Sequence, residues 1–540
     1  MAMYRLRPTP RASALLLLAV LVSAGPAAAQ GASTFGAKVE EIAARPDFKH
    51  SEFGVELLDL ETGQPVYKRM ADKFFTPGST TKLLTEGTAL ALLGADYRFH
   101  TPVYRTGPVK AGTVNGDLVL VASGDPNLSG RIVGDTLQWA NEDHSYGGDS
   151  AQAVLPGDPL YVVRKLAGQV AGQGIKRVTG RVLVDASLFP QGDRELGTGV
   201  VISPIVVNDN VVDLLIRPGA KPGDPVIVKL SPDIGYLKLV NKATTGAADS
   251  RPALHRAEET ANPDGTWTVE MSGSYPAGKA AMLDSWAVPD PTRFAELALV
   301  TALKEKGVSA SMPAVGYKPA VATLARSYTD ANRVAEHVSL PLAQEVKVTL
   351  KVSQNLHASM TPFLLGALVA KNREHPEQAG FDAERAFLQK AGLDTDGASQ
   401  GDGAGGAPGA FFTPDFMAHY LAYMAKRPDF ETFRRALPVL GVDGTLWNIQ
   451  KGTPAAGHVF AKTGTFIVED PLNERMIVTG KGLAGYIVRA DGRRLAFAAY
   501  ANRVPYDRTR PNGPEFVGQA LGEIAAAAYS LPLEGAGTTH

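Results

Sequence analysis

Ser79 and Lys82 stand three residues apart, directly after Pro77-Gly78 and at the head of an apolar-periodic run. At that spacing on a helix the two side chains share a face. A lysine held there and stripped of water loses its proton readily and can activate the neighbouring hydroxyl as a nucleophile. The helix start adds free N–H groups and positive partial charge where an attacked carbonyl oxygen gains negative charge. Alone, Ser-x-x-Lys is a weak signal, because a chain of 540 residues holds such a pair by chance.

Two further patches change its weight. Lys462-Thr463-Gly464-Thr465 follows Val459 and Phe460 in a strand-like run, and the bare Gly464 lets another backbone approach closely. Lys462, Thr463 and Thr465 offer a cation and hydroxyls to a carboxylate. Ser353-Gln354-Asn355 lies between two helical runs, its hydroxyl able to relay a proton and its amide able to hold a carbonyl. Each has an ordinary explanation, a turn glycine at a strand edge or a helix cap. All three in this order are the specific signal.

These patches need a scaffold that joins distant stretches. Residues 53–60 and 65–69 read as strands around a Glu61-Thr62-Gly63 turn, followed by a helix over 79–93 that stops at Gly94. Residues 98–330 alternate short β-rich runs with Gly, Pro and Asp turns, broken by one helical run at 160–172. Helical character returns over 340–369 and 413–427, separated by a loop at 394–410 with almost nothing apolar to bury. The chain ends in strands at 459–465, 484–490 and 493–500, the last two joined by an Asp491-Gly492 turn, then a helix over 515–528. Two N-terminal strands cannot form a stable sheet alone and are expected to join the C-terminal ones, bringing Ser79 beside residues hundreds of positions later.

Composition narrows the class. Apolar residues make up 44%, charged residues 20%, and the formal net charge is −1, with no basic stripe for a nucleic acid to meet. With no cysteine, thiol nucleophiles and thiolate metal sites are excluded; the histidines, His144, His357, His419 and His458 among them, form no ligand motif. Neither metal nor cofactor is expected. Arg5, Arg7 and Arg11, an apolar run over 14–22 and Ala27-Ala28-Ala29 predict a cleaved signal peptide over residues 1–29. That run is shorter than the ~20 residues that span a bilayer, so an exported, periplasmic chain without an integral membrane segment is expected.

The motif set resembles the D-alanyl-D-alanine carboxypeptidase/endopeptidase family, the low-molecular-mass class C penicillin-binding proteins. Residues 124–128, 174–189, 208–212, 346–355 and 441–457 are similar to other segments of that family, and the long gap between Lys82 and Ser353 fits it better than an ordinary β-lactamase. The resemblance implies an α+β fold, a β-lactamase/transpeptidase-like domain over 30–97 and 330–532 built on a five-stranded antiparallel sheet flanked by helices. Residues 98–329 would be an inserted β-rich region of two domains, with a disordered tail over 533–540. It also implies roles. Ser79 would attack the D-Ala carbonyl with Lys82 as base, Ser353 would pass the proton to the leaving amine, and Asn355 would orient substrate or lysine. Lys462 would supply positive potential, Thr463 and Thr465 would hold the substrate carboxylate, and the N–H groups of Ser79 and Thr465 would form an oxyanion hole. Partners would be peptidoglycan stem peptides and, as covalent inhibitors, β-lactams.

Three departures stand out. Asp402-Gly403-Ala404-Gly405-Gly406-Ala407 lacks the two hydroxyls of the family's Asp-Gly-Ser-Gly-Leu-Ser. Residues 467–480 are longer than usual and are expected to cover the site or alter substrate reach. Ser359, beyond His357, is neutral where an acidic residue is common. A non-hydrolysing scaffold protein and a β-lactamase or esterase on the same framework remain alternatives to the peptidase.

Overall fold

Period-2 alternation sends Phe53, Val55 and Leu57 to one face of a strand and Leu58 to the other, and each face enters a different core. The structure, a computed structural model, describes residues 34–147, 157–318 and 320–533; the expected leader and the tail beyond 533 lie outside the described residues. Five strands carry this sheet: β1 (Glu52–Asp59), β2 (Pro65–Arg69), β3 (Val459–Asp470), β4 (Arg475–Val488) and β5 (Arg494–Asp507). Their order is β2-β1-β5-β4-β3 with every pair antiparallel, so the N-terminal strands join the C-terminal ones in the five-stranded sheet that the family resemblance implies.

Six helices matter for the site: α1 (Phe35–Ala43), α2 (Thr81–Leu93), α3 (Leu342–Val352), α4 (Asn355–Leu364), α5 (Pro414–Met424) and α6 (Glu515–Ser530). Val39 and Ile42 of α1 and Val517, Leu521 and Ile524 of α6 cover one face, against Phe497, Ala499 and Ala501. On the other face α5 packs against the strand that carries Ala496, Ala498 and Tyr500, and α2, α3 and α4 join it in the same apolar core. Burying side chains of this size stabilises by roughly 1.5–3 kcal/mol each, which fixes the helices against the sheet. Every residue of α2 from Thr81 to Leu90 is buried, so its polar members, Lys82 included, need protein partners.

The long segment at 467–480 is not a cover over the site. It extends β3 and β4 as a hairpin that turns at residues 471–474, with a bulge between Phe466 and Ile467. Asp470 fastens that turn, its carboxylate accepting from Asn473 and Arg475 at 2.8 Å each.

Between the two parts of this sheet the chain forms others. A seven-stranded mixed sheet has Arg177–Asp185 parallel to Leu118–Val121, with the helix Tyr161–Gly172 as the crossover that parallel pairing requires. A second helix, Pro291–Glu305, packs beside it, although its region reads as β-rich; Asp290 caps it by accepting from the Arg293 amide, with Pro291 in its first turn. Arg333–Val338 pairs with His100–Arg105, so this sheet draws strands from both sides of the middle region. A three-stranded sheet around Val211–Arg217 and a five-stranded one around Trp267–Pro276 complete the region.

A buried ionic network ties the middle region to the helices behind the site. Asn208, Asp209 and Asn210 all adopt positive φ, near +50°, a conformation Asn and Asp tolerate better than other side chains. Asn210 Oδ1 accepts from the Val207 amide and Asn208 Nδ2 donates to Val211 O, each at 3.1 Å, which holds the turn. Asp209 thereby meets three cations: it is paired with Arg131, lies 2.7 Å from His144 and 2.9 Å from His357 on α4. Asp143, Asp213 and Glu345 complete the pairs to Arg131, His144 and His357 at 2.8, 2.7 and 2.7 Å. These carboxylates raise both histidines to about 10 in spite of burial, so each is an imidazolium at neutral pH.

Removing Asp209 leaves these cations short of their shared anion. Asp209→Ala is expected to cost about 3–5 kcal/mol, read as a fall in the urea midpoint, against less than about 1 kcal/mol for an exposed pair such as Arg385–Asp382. For His144 and His357 the raised pKa makes their contribution full below the ordinary value of 6.5, and it is lost as pH climbs through about 10. The urea midpoint should therefore fall from pH 6 to pH 10, and fall less steeply in His357→Gln.

Candidate active site

The residues that precede α2 set Ser79. The helix expected from Ser79 begins at Thr81; Gly78–Thr80 form one 3-10 turn, with Gly78 at φ +49°. That turn presents Ser79 at the mouth of a cavity of about 500 Å³, while Lys82, one turn on, is wholly buried. Lys82 Nζ donates to Ser79 Oγ at 2.7 Å and to Asn355 Oδ1 at 2.6 Å, and lies 3.3 Å from Ala404 O and 3.4 Å from Ser353 Oγ. Burial pulls the amine down to about 8, opposed by the charges of Glu195, Asp402 and Glu86. The sequence left Asn355 to orient substrate or lysine; its side-chain oxygen holds the lysine.

Ser353 sits in the break between α3 and α4, in the left-handed conformation at φ +65°. Gln354 caps α4 by accepting from the Leu356 and His357 amides, and its Nε2 donates to Asp143 Oδ1 and Ser145 Oγ at 3.1 Å each. Tyr146 Oη donates to the Ser353 carbonyl. Three side chains of the middle region thus grip a break whose strain only surrounding contacts sustain.

β3 supplies the remaining wall. Lys462 Nζ donates to Ser353 Oγ and Thr463 O, both at 2.8 Å, so Ser353 lies between two amines. Burial first, then the nearby Lys82 and Lys481 charges, hold Lys462 well below the ordinary lysine value. Thr463 Oγ1 donates to Thr445 Oγ1 at 2.8 Å, and Thr465 Oγ1 accepts from Lys481 Nζ at 2.7 Å. At Gly464 a side-chain carbon would sit 1.9 Å from Pro77 O, and one at Gly78 would sit 2.5 Å from the Thr465 amide nitrogen. The strand and the Ser79 turn therefore touch backbone to backbone, which places the Thr465 amide beside Ser79.

All eight residues singled out from the sequence come together at one site: Ser79, Ser353, Asn355, Thr463 and Thr465 line the cavity, Lys82 and Lys462 stand behind Ser79 and Ser353, and Gly464 seats the strand against the Ser79 turn. Tyr146, Thr445, Lys481 and the Ala404 carbonyl are additions. For Lys481 no local signal suffices: pairing outward from the turn that joins Asp470 to Arg475 would set Thr465 opposite Gly480, and the bulge between Phe466 and Ile467 is what brings Lys481 there. The loop lacking two hydroxyls reaches the site through its backbone, with Gly403 O accepting from Thr85 Oγ1 at 2.9 Å and Asp402 folding it by accepting from the Gly405 and Gly406 amides. Ser359 is buried, and Glu345 and Asp209 supply carboxylates to His357 instead.

A hydroxyl bonded to a buried amine, a second serine shared between two amines and an adjoining Lys-Thr-Gly strand are the apparatus of the serine peptidases that act through an acyl-enzyme. Residues 35–515 match the D-Ala-D-Ala carboxypeptidase 3 (S13) family, and the chain belongs to it as a serine-type peptidase. It is 30% identical to the D-alanyl-D-alanine carboxypeptidase of Actinomadura sp. (strain R39), over 91% of this chain and 87% of that one. It is 24% identical to the D-alanyl-D-alanine carboxypeptidase DacB of Haemophilus influenzae, over 84% and 85%. In fold it is similar to the crystal structure of penicillin binding protein 4 (dacB) from Haemophilus influenzae, with a TM-score of 0.69, 21% identity and coverage of 91% of this chain and 99% of that one.

The backbone contact at Gly464 yields a test. Gly464→Ala pushes β3 off the Ser79 turn, and a displacement of about 1 Å at a reacting centre costs on the order of 100-fold in rate. Acylation by a fluorescent penicillin should fall by about that factor, with the circular dichroism spectrum unchanged; an unchanged rate would show that the strand does not set the geometry.

Proposed function

We propose that this protein hydrolyses the terminal D-Ala-D-Ala bond of peptidoglycan stem peptides through an acyl-enzyme on Ser79, and also cleaves D-alanyl cross-links as a DD-endopeptidase. The observation that carries the reading is the Lys82 amine, buried and 2.7 Å from the Ser79 hydroxyl. Neutral Lys82 takes the Ser79 proton as Oγ attacks the carbonyl carbon of the penultimate D-Ala. The amides of Ser79 and Thr465 receive the oxyanion. Ser353, between Lys82 and Lys462, passes a proton to the leaving nitrogen, and the C–N bond breaks to release D-Ala. Water then attacks the ester, its proton going to Lys82, and Ser79 is restored. Asn355 keeps Lys82 aimed, Lys462 lends positive potential, and Thr465 receives the terminal carboxylate, with Thr463 bonded to Thr445 beside it. β-Lactams stop the cycle by acylating Ser79.

The exported leader over 1–29 places the mature protein in the periplasm on this reading; among the described residues no helix is long and apolar enough to cross a membrane. We take 30–97 and 330–532 as the catalytic unit and 98–329 as two inserted domains, with the Arg333–Val338 strand bridging the second boundary.

Two measurements test the mechanism. Ser79→Ala should abolish labelling by fluorescent penicillin and lower D-Ala release by at least about 1000-fold. Cross-linked muropeptides, with monomer and free D-Ala both quantified, separate the two activities; labelling without release of either would mark a non-hydrolysing binder. Lys82 acts when neutral, and with a pKa of about 8 only about a tenth of the molecules are ready at pH 7. The acylation rate should therefore rise roughly five- to tenfold from pH 7 to pH 9 and then level off. A flat profile would remove Lys82 as the base.

A further inference from the structure

Lys481 belongs to none of the three motifs, yet its side chain lines the catalytic cavity. It stands directly across β4 from Thr465, and its ammonium donates to Thr465 Oγ1 at 2.7 Å. α6 makes room for it: a side-chain carbon on Gly518 would lie 3.3 Å from Lys481 Cε and 3.7 Å from its Nζ. Among the described residues Glu515 is the acidic group that bears on this ammonium, through space and not by a bond, and the Glu515 carboxylate accepts from Asn448 Nδ2 at 2.7 Å. A cation so placed, with its long stem packed against a helix, is bonded to no carboxylate among the described residues.

The hydroxyls of the strand show what it does. A threonine hydroxyl has one proton and two acceptor positions. Thr463 gives its proton to Thr445 at 2.8 Å. Thr465 accepts from Lys481, so its own proton cannot point there and is left for a group in the cavity. An acceptor arriving at Thr465 also arrives beside a positive charge, and a carboxylate satisfies both while an amide satisfies one.

We propose that Lys481 is a positioning residue that makes the site select a free carboxylate at the substrate's C-terminus, by orienting the Thr465 proton toward that carboxylate and supplying the charge it neutralises. The inference rests on the proposed function, in which residues 462–465 receive the carboxylate end of the substrate. Burial lowers the Lys481 amine to about 8, which leaves it charged in most molecules at neutral pH.

The test compares the wild-type enzyme with Lys481→Met and Lys481→Arg on an N-acylated tripeptide ending in D-Ala-D-Ala and on the same peptide as its C-terminal amide, measuring kcat and KM separately from release of D-Ala or D-alaninamide. Lys481→Met should raise KM for the acid about tenfold with kcat within threefold, and leave the amide within twofold. Lys481→Arg should keep the acid KM within threefold of wild type, since it retains the charge. Equal losses on acid and amide in Lys481→Met, or no loss on either, would overturn the assignment. If the wild-type enzyme released nothing from either peptide, the proposed function would fail and not the role of Lys481.

Discussion

A lysine amine buried in the wall of a helix must be surrounded by acceptors or give up its proton. Lys82 meets this constraint with oxygens from three separate stretches of chain, Ser79 Oγ, Asn355 Oδ1 with Ser353 Oγ, and Ala404 O. Burial without partners would raise the free energy of the charged amine by several kcal/mol. Partners that are dipoles instead of carboxylates satisfy its hydrogen bonds while leaving the pKa depressed to about 8. The same arrangement therefore serves folding and chemistry. Convergence of the three stretches follows from it, because each supplies something the buried amine lacks.

Holding those stretches falls to different devices. β3 is seated by main-chain contact at Gly464, where any side chain would collide with Pro77 O. The 402–407 loop is folded by Asp402 on its own amides, so it presents the Ala404 carbonyl although it carries no hydroxyl side chain. The break at Ser353 is the strained one, and it is held from outside the sheet by Asp143, Ser145 and Tyr146. Those residues are themselves anchored through Asp143 to Arg131 and Asp209, and Asp209 reaches back to His357 on α4. The middle region is thus part of the wall behind the site. Deleting it would expose the helix break and take Asp209 from the His357 imidazolium, leaving it Glu345 alone.

How much of this could be read from the sequence depends on whether a feature is local. The individual strands, the three motifs and the Asp491-Gly492 turn rest on short-range pattern and are legible in the sequence. The ionic network is not, because Arg131, Asp209 and His357 carry no periodic signature and their partners lie up to 148 positions away. The histidines read as ordinary hydrogen-bonded residues, which understates two imidazoliums sharing one carboxylate. The helix Pro291–Glu305 lies in a stretch whose overall texture reads as β-rich, although Asp290-Pro291 is a helix-start signal. Residues 467–480 read as a cover because only β3 up to Thr465 was recognised as strand; bulge and turn carry the hairpin away from that interpretation. Lys481 was passed over for the same reason, since its partner becomes evident only once the hairpin register is known.

Three amines, Lys82, Lys462 and Lys481, share one site, Lys481 lining the cavity and the other two behind Ser353, and like charges this close disfavour one another. Lys462 feels that conflict from both neighbours, on top of the burial that first holds its amine well below the ordinary lysine value. A substrate carboxylate arriving at Thr465 would favour protonation of the two amines nearest it, Lys462 and Lys481. Coulombic coupling is reciprocal, so a charge stabilised on Lys462 makes a charge on Lys82 less favourable. The group expected to accept the Ser79 proton would then become more available as the cleft fills, and the positive potential would sit where the carboxylate binds and not where the nucleophile must lose its proton. An uncharged occupant gives no such redistribution. Separation of the anion-binding amines on the sheet from the proton-accepting amine on α2, joined only through the Ser353 hydroxyl, is what allows one site to hold cations of opposite duty.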